Sequence, residues 1–508
     1  MNKKIFKLVS VLALMLPLLA SMFTTNTYAA PKDDDKTAIN VHLHKLVFDK
    51  GTKPSIENTG QEMQDLGGDP LTGVTFTVFD VTDKYVAQLA VDPSAEKATS
   101  AIVNEASNAI FDKAANNLAG FGTAVSSVVT NENGIATFAN LPIKNGDNYA
   151  TYLFVETNSP AEISERATPI VLSMPIYVPD TNDINPDVVV YPKNEKDTMI
   201  EKDLTEEAKK DLAVTIGGKD FNAEIGKPFG YSIFALVPWN IADKEYYKIT
   251  DTPDAGMKVL VNTVGIAGLE KGTDFTVTAN GNGYILELNI NSDKVKALAG
   301  NKFEIKYDAF LTDDVTIDFG INNSATVELG TTNNPDTPDK PTVTGPEVFT
   351  GGKKFKKVDD RSGKTLANAE FKLVKLDTNG KIIAYAHYDE DKGEYTWNEN
   401  EESTIYKSEA NGLFEIKGLE YSAKLKDGVT YALVETKAPT GYAVLNKPVK
   451  FEVVKGEFNT QTLDVENIKK GILPSTGGNG IYMFLVAGSL LMIGAFVWYR
   501  RTQVETEV

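Results

Sequence analysis

The chain has 508 residues, of which 42% are apolar and 24% charged, an ordinary globular mix with material for about three domains. Lys and Arg number 51 against 70 Asp and Glu, and the resulting net charge of -19 argues against a nucleic-acid phosphate backbone as partner. There is no cysteine, and histidine occurs only at His42, His44 and His387, so disulfides, cysteine nucleophiles and thiolate metal sites are excluded.

In chain order, Lys3, Lys4 and Lys7 precede an apolar run over residues 8–23, and the small residues Thr27, Ala29 and Ala30 follow. These are the charged, apolar and cleavable parts of a secretory signal peptide, read as residues 1–29. A first domain, residues 30–195, comes next. Its His42 and His44 share one strand face but lack a third ligand at metal spacing, and Asp33-Asp34-Asp35 has no calcium-loop surroundings, so no metal or cofactor is expected. Residues 94–119 are Ala-rich with a helical pattern and read as an insertion. The domain closes on Val188-Val189-Val190-Tyr191-Pro192-Lys193-Asn194, a β-rich run stopped by proline.

A middle domain, residues 196–335, holds a short helical pattern at 204–212 and strand-like runs at 284–290 and 326–329. The Pro-rich polar segment 333–341 predicts an extended spacer rather than packed structure, with a linker drawn at 336–347. The third domain, residues 348–470, repeats the first. Leu71-Thr72-Gly73-Val74-Thr75-Phe76 aligns with Leu366-Ala367-Asn368-Ala369-Glu370-Phe371. Asn133-Gly134 aligns with Asn411-Gly412, and Tyr152-Leu153-Phe154-Val155-Glu156-Thr157 with Tyr431-Ala432-Leu433-Val434-Glu435-Thr436. Alternating apolar positions with Asn-Gly turns read as antiparallel strands of a sandwich, so the fold class is all-β.

Along the first strand of the third domain Phe355, Lys357 and Asp359 alternate, which turns Lys357 toward the core with Phe355. A buried ammonium is costly, and burial favours the neutral, nucleophilic amine. Glu435 sits in an apolar strand and Asn467 ends the last one. An amine, a carboxamide and a proton-carrying acid are the parts needed to make a side-chain amide with loss of ammonia. At the far end Leu473-Pro474-Ser475-Thr476-Gly477 precedes an uncharged apolar stretch, 481–499, closed by Arg500 and Arg501. Such a stretch spans a bilayer as a helix, and the basic pair keeps the last residues inside the cell.

That last series resembles the LPxTG sorting signal of Gram-positive surface proteins, cut by the transpeptidase sortase between Thr476 and Gly477. The run Tyr431 through Glu435 to Tyr442 resembles the E-box of sortase-assembled major (backbone) pilins, and the resemblance to that family covers essentially the whole chain. It implies three tandem Ig-like (CNA-B-type) β-sandwich domains, a signal peptide and a C-terminal sorting segment, 471–508, with its transmembrane helix. It further implies autocatalytic Lys–Asn isopeptide bonds: Lys357 to Asn467 assisted by Glu435, Lys45 to Asn194 assisted by Glu156, and Lys202 to Asn323 assisted by Asp251. Lys353, Lys354 and Lys356 compete for the lysine role in the third domain, and Asn322 and Asn333 for the asparagine role in the middle one.

By the same resemblance Val188 to Asn194 is the pilin motif, and Lys193 attacks the sortase-bound Thr476 of the next subunit; many relatives carry a tryptophan where this chain has Ile184. The implied partners are a pilus-specific class C sortase, a housekeeping sortase, further copies of the chain, accessory tip and base pilins, and peptidoglycan; host matrix or mucus ligands stay open. No external substrate is expected to be turned over. The alternative is a monomeric sortase-anchored wall adhesin.

Overall fold

The computed structural model describes residues 36–471 and 480–504, apart from residues 56, 216–217, 332–333, 338–339, 401 and 427. The expected signal peptide, residues 1–29, and the pentapeptide 473–477 lie outside the described residues. Two compact units meet in sequence at Thr350 and Gly351.

Within the first unit, the strand Ala38–His44 lies between Asp187–Val190, parallel to it, and Ile135–Pro142, antiparallel. Its burial alternates residue by residue, which places Val41 and Leu43 inward and His42 and His44 on the outer face. A facing sheet is ordered Ile170–Ser173, Thr151–Asn158, Thr75–Asp80, Ser126–Val129. The two sheets close on one apolar core that includes Leu43, Phe76, Val78, Phe138 and Phe154. Each such side chain contributes about 1.5–3 kcal/mol when fully buried.

The helices Thr82–Val91 and Ala95–Asn108 cover the other face of the second sheet, around Phe79, Ile102, Leu153 and Val155. The strand Thr151–Asn158 is therefore buried on both sides, which is why it reads as an unbroken apolar run and why Glu156 has no route to water.

The helical insertion differs from its expected span of 94–119. It begins at Thr82, where Asp80 Oδ1 accepts the Thr82 backbone N–H at 2.9 Å, and Asp92-Pro93 breaks it into two. After Asn108 the alanines give way to short strands, Phe111–Asp112 and Asn117–Leu118.

Residues 200–350 contain two larger sheets. One is ordered Ile200–Leu204, Phe229–Leu236, Lys302–Leu311, Met257–Val259. The other is ordered Phe275–Asn280, Gly283–Leu288, Tyr246–Pro253, Asn323–Thr331. The helix Glu206–Leu212 lies within the predicted segment 204–212, with Thr205 Oγ1 capping the Ala208 backbone N–H.

The described part of the Pro-rich segment is packed rather than a free spacer. Asn334–Pro335 and Thr342–Thr344 both pair antiparallel with Asn323–Thr331. Proline survives there because the ladder uses its carbonyl: the Val327 backbone N–H donates to Pro341 O at 3.0 Å. Val348–Phe349 pairs with Phe221–Asn222, which carries the first unit on to Thr350.

In the second unit Gly351–Asp359 lies between Leu413–Leu419, antiparallel, and Thr462–Asn467, parallel. A facing sheet centres on Glu370–Leu376, between Ile382–Asp389 and Thr430–Lys437. Phe355, Phe371 and Phe414 stack between the two, with ring centroids 4.9 Å apart. Gly480–Val504 is a helix, of which Tyr482–Thr502 is apolar and long enough to cross a membrane.

Candidate functional site

In the first domain Lys45 occupies the break between Ala38–His44 and Leu46–Asp49, and Asn194 lies on the strand parallel to the latter, opposite Val47. Glu156 reaches them from the facing sheet, and all three are at most 1% exposed. Lys45 Nζ donates to Glu156 Oε2 at 2.9 Å and also contacts Asn194 Oδ1, while Asn194 Nδ2 donates to Glu156 Oε1 at 2.7 Å. One carboxyl thus touches the amine with one oxygen and the amide nitrogen with the other. The Ala167 backbone N–H, 3.0 Å from Glu156 Oε2, fixes its orientation.

The third domain assembles the same groups more loosely. Lys357 is fully buried and donates to Val465 O at 2.6 Å, and Asn467 Nδ2 donates to Glu435 Oε2 at 2.9 Å. Glu435 Oε1 and Asn467 Oδ1 are buried without a hydrogen-bond partner, which leaves two acceptors unsatisfied beside a buried amine. The competing lysines are engaged elsewhere: Lys353 Nζ lies 3.1 Å from Glu457 Oε2, and Lys354 Nζ 2.9 Å from Asn459 Oδ1. Lys356 is only partly buried.

In the middle domain a residue the sequence reading missed joins the set. Lys202 Nζ contacts Asp251 Oδ2; Tyr307 Oη donates to that oxygen at 2.7 Å and accepts from Asn323 Nδ2 at 3.1 Å. Tyr231 and Tyr307 present their rings to Lys202 Nζ at 5.4 and 5.6 Å. Asn323 is fully buried, whereas Asn322 is partly exposed and holds Asp254 through its backbone; Asn333 lies outside the described residues. A signal for Tyr307 exists in the alternation of Phe303, Ile305, Tyr307 and Ala309 toward the core, where a phenol needs a polar partner.

Burial is the main force on all three lysines and pushes each down to about 8, against the pull of Glu156, Asp251 or Glu435 toward the charged form. A larger share of neutral amine is thereby available at each of the three lysines, of which Lys45 touches its carboxamide directly. The linkage has a measurable sign. With Asn467→Ala the Lys357 amine stays free, and the unfolded chain, titrating near the ordinary value of 10.5, binds more protons than the folded one between about pH 8 and 10.5. Stability of that variant should rise across this window when followed by urea unfolding, and the rise should vanish in Lys357→Met/Asn467→Ala. A profile the same in both variants would show that the amine is not held neutral by the fold.

The repeated Asn-Gly turns also have a place here. The backbone N–H of Lys45 donates to Gly134 O, and that of Lys357 to Gly412 O, each at 2.7 Å. Gly134 and Gly412 have φ of +72° and +78°, and a Cβ would lie 2.8 and 2.7 Å from the same lysines' carbonyl oxygens. Each glycine therefore clamps the backbone of a buried lysine, with Leu71 and Leu366 holding the lysine carbonyl from the other side.

Lys193 opens the strand Lys193–Lys196 beside Asn194. It is partly buried and paired to Leu46 rather than a flexible, exposed turn residue, because the proline before it ends one strand and the next begins at once. Burial, and then the nearby Lys53 charge, shift its amine below the usual lysine value. Ile184 packs against the first-domain core. Among the described residues no group of three His, Asp or Glu side chains could hold a metal; His42 instead contacts Thr137 Oγ1 at 3.0 Å.

Comparison with known proteins accords with this architecture. Residues 36–195 match the N-terminal D1 domain of Gram-positive pilin subunits, 351–469 a prealbumin-like fold domain, and 466–504 the LPXTG cell wall anchor motif. The chain is 28% identical over 497 residues to fimbrial subunit type 2 of Actinomyces naeslundii, covering 89% of this chain and 87% of that one. Fimbrial subunit type 1 of Actinomyces viscosus is 26% identical, with 92% of each chain covered. The full-length RrgB pilus protein of Streptococcus pneumoniae shares the fold, with a TM-score of 0.54 and 19% identity over 87% of this chain and 99% of that one. With a pilin D1 domain at one end and a prealbumin-like domain and wall anchor at the other, the chain belongs to the sortase-assembled, LPXTG-anchored pilins of Gram-positive bacteria.

Proposed function

We propose that this pilus backbone subunit is polymerised by a sortase that joins Thr476 of one copy to Lys193 of the next, and that each of its three sandwiches is closed by an autocatalytic Lys–Asn amide. A housekeeping sortase then transfers the finished fibre to peptidoglycan, with accessory pilins at its tip and base. The chain is a substrate of these transpeptidases and turns over no substrate of its own.

The observation that carries the reading is the fully buried contact of Lys45, Glu156 and Asn194. Its chemistry follows from the two carboxyl oxygens. The neutral amine attacks Asn194 Cγ; Glu156 Oε2 takes the amine's proton, and Oε1 faces the Asn194 nitrogen that must receive it to leave as ammonia. Water is excluded, so the competing hydrolysis of the carboxamide has no nucleophile. Asp251 with Tyr307, and Glu435, stand in the corresponding position to Asn323 and Asn467.

Intact mass of the secreted ectodomain tests this directly. Each bond formed lowers the mass by one ammonia, about 17 Da, and three such losses are expected. A mass equal to the sequence value would overturn all three bonds. Tandem mass spectrometry of purified fibres should then find the branched peptides at Lys45, Lys202, Lys357 and Lys193.

A further inference from the structure

A fourth lysine outside these sets is buried against a carboxylate. Lys244 follows the 3-10 turn Ile241–Asp243, is 5% exposed, and its Nζ pairs with Asp336 Oδ2. Asp336 belongs to the Pro-rich segment that folds back on Asn323–Thr331. Its Oδ2 is buried in contact with the lysine. Both backbones are anchored to the same strand: the Asp336 N–H donates to Leu329 O at 2.9 Å, and the N–H following Lys244 donates to Gly330 O at 2.8 Å. The reacting side chains are thereby held together before any chemistry, which removes most of the entropic cost of bringing them together.

A second carboxyl, that of Asp243, closes the 3-10 turn immediately before Lys244. Asp243 is next to Lys244 in sequence, and the charges that act on it are those of Lys113, Lys244, Arg166 and Asp336. Burial makes its protonated form easier to reach, while burial of Lys244 favours the free amine against the pull of Asp336. The cluster thus contains an amine, an acyl carbon and a separate proton carrier, with a carboxylate in the place that asparagine takes in the other sets.

We infer that Lys244 and Asp336 condense to a Lys–Asp amide, a fourth internal cross-link, with Asp243 as the proton carrier. The Lys244 nitrogen bonds to Asp336 Cγ and one Cγ–O bond breaks. The departing oxygen leaves as water, taking two of the three ammonium protons, one of them by way of Asp243, which ends as it began. A buried cation and anion become one neutral amide, so the desolvation cost of the ion pair is relieved as the bond forms. The leaving group is water rather than ammonia, which separates this bond from the Lys–Asn amides and makes it independent of them.

The test is tryptic digestion of denatured full-length protein from the wild type and from Asp336→Ala and Asp243→Asn variants. In the wild type trypsin should fail to cut after Lys244, and one branched peptide should join it to Asp336, lighter by one water, about 18 Da, than its two parts. Asp336→Ala should restore the cut after Lys244. Asp243→Asn should give a folded protein, shown by retained Lys–Asn branched peptides, in which the Lys244 and Asp336 peptides are recovered linear. Linear Lys244 and Asp336 peptides from the wild type would overturn the cross-link, whatever the variants do. A branched peptide that persists in Asp243→Asn would overturn the role of Asp243.

Discussion

Replacing Lys193 by alanine is expected to collapse the detergent-resistant high-mass ladder of cell-wall extracts to a single subunit-sized band. The effect should be all or none, because a transpeptidase needs a neutral amine to resolve its acyl intermediate and the neighbouring lysines are committed. Lys196 pairs with Asp49 and Asp69, Lys50 with Asp197, and Lys53 with Glu165. Lys193→Arg keeps the charge and the side-chain length but removes the nucleophile, so it should behave as the alanine variant does while leaving the fold untouched. A ladder that survives both substitutions would place the junction at another residue. One wall-linked band in the wild type as well would favour the monomeric adhesin.

Glu156→Ala should have the largest effect on stability. It removes the proton carrier, so the first-domain amide should not form, and it leaves Lys45 buried without its counter-charge. Loss of a cross-link costs about 2–4 kcal/mol by analogy with a disulfide, and an unpaired buried lysine about 3–5 kcal/mol. Together these correspond to a fall of roughly 10–35 °C in the first-domain unfolding temperature. Glu156→Gln separates the two contributions: it retains a hydrogen-bond acceptor beside the amine but cannot shuttle a proton, so the ammonia should be retained with a smaller loss of stability. Full ammonia loss from either variant would show that the carboxyl is not needed.

Much of this was readable from the residues because the first and third domains duplicate each other. Tyr152 to Glu156 and Tyr431 to Glu435 are strands whose burial differs only at Val434, which is partly exposed, and the repeat alone marked the two carboxylates as counterparts. The sandwich class followed from alternation and turns, which are local signals. Tyr307 went unnoticed because the middle domain has no second copy in the chain, and one tyrosine among inward-facing apolar residues reads as core. The helix Thr82–Val91 was missed because an Ala-rich neighbour dominated the pattern, although Asp80 and Pro93 bracket it. The pairing of Thr342–Thr344 was hidden by composition: proline and aspartate signal a linker, but an edge strand needs few donors. The parallel pairing of Lys193 to Leu46 is a long-range contact that no window of sequence records.

The adjacency of Lys193 and Asn194 has a mechanical meaning. In the proposed polymer, force from the neighbouring subunit enters at the Lys193 side chain and leaves toward Thr476, so the load path starts where the first domain ends. In the second unit the proposed Lys357–Asn467 amide would carry it between parallel end strands and by-pass residues 358–466. A stretched filament of such subunits would have almost no hidden length to release and would behave as a stiff tether rather than a shock absorber.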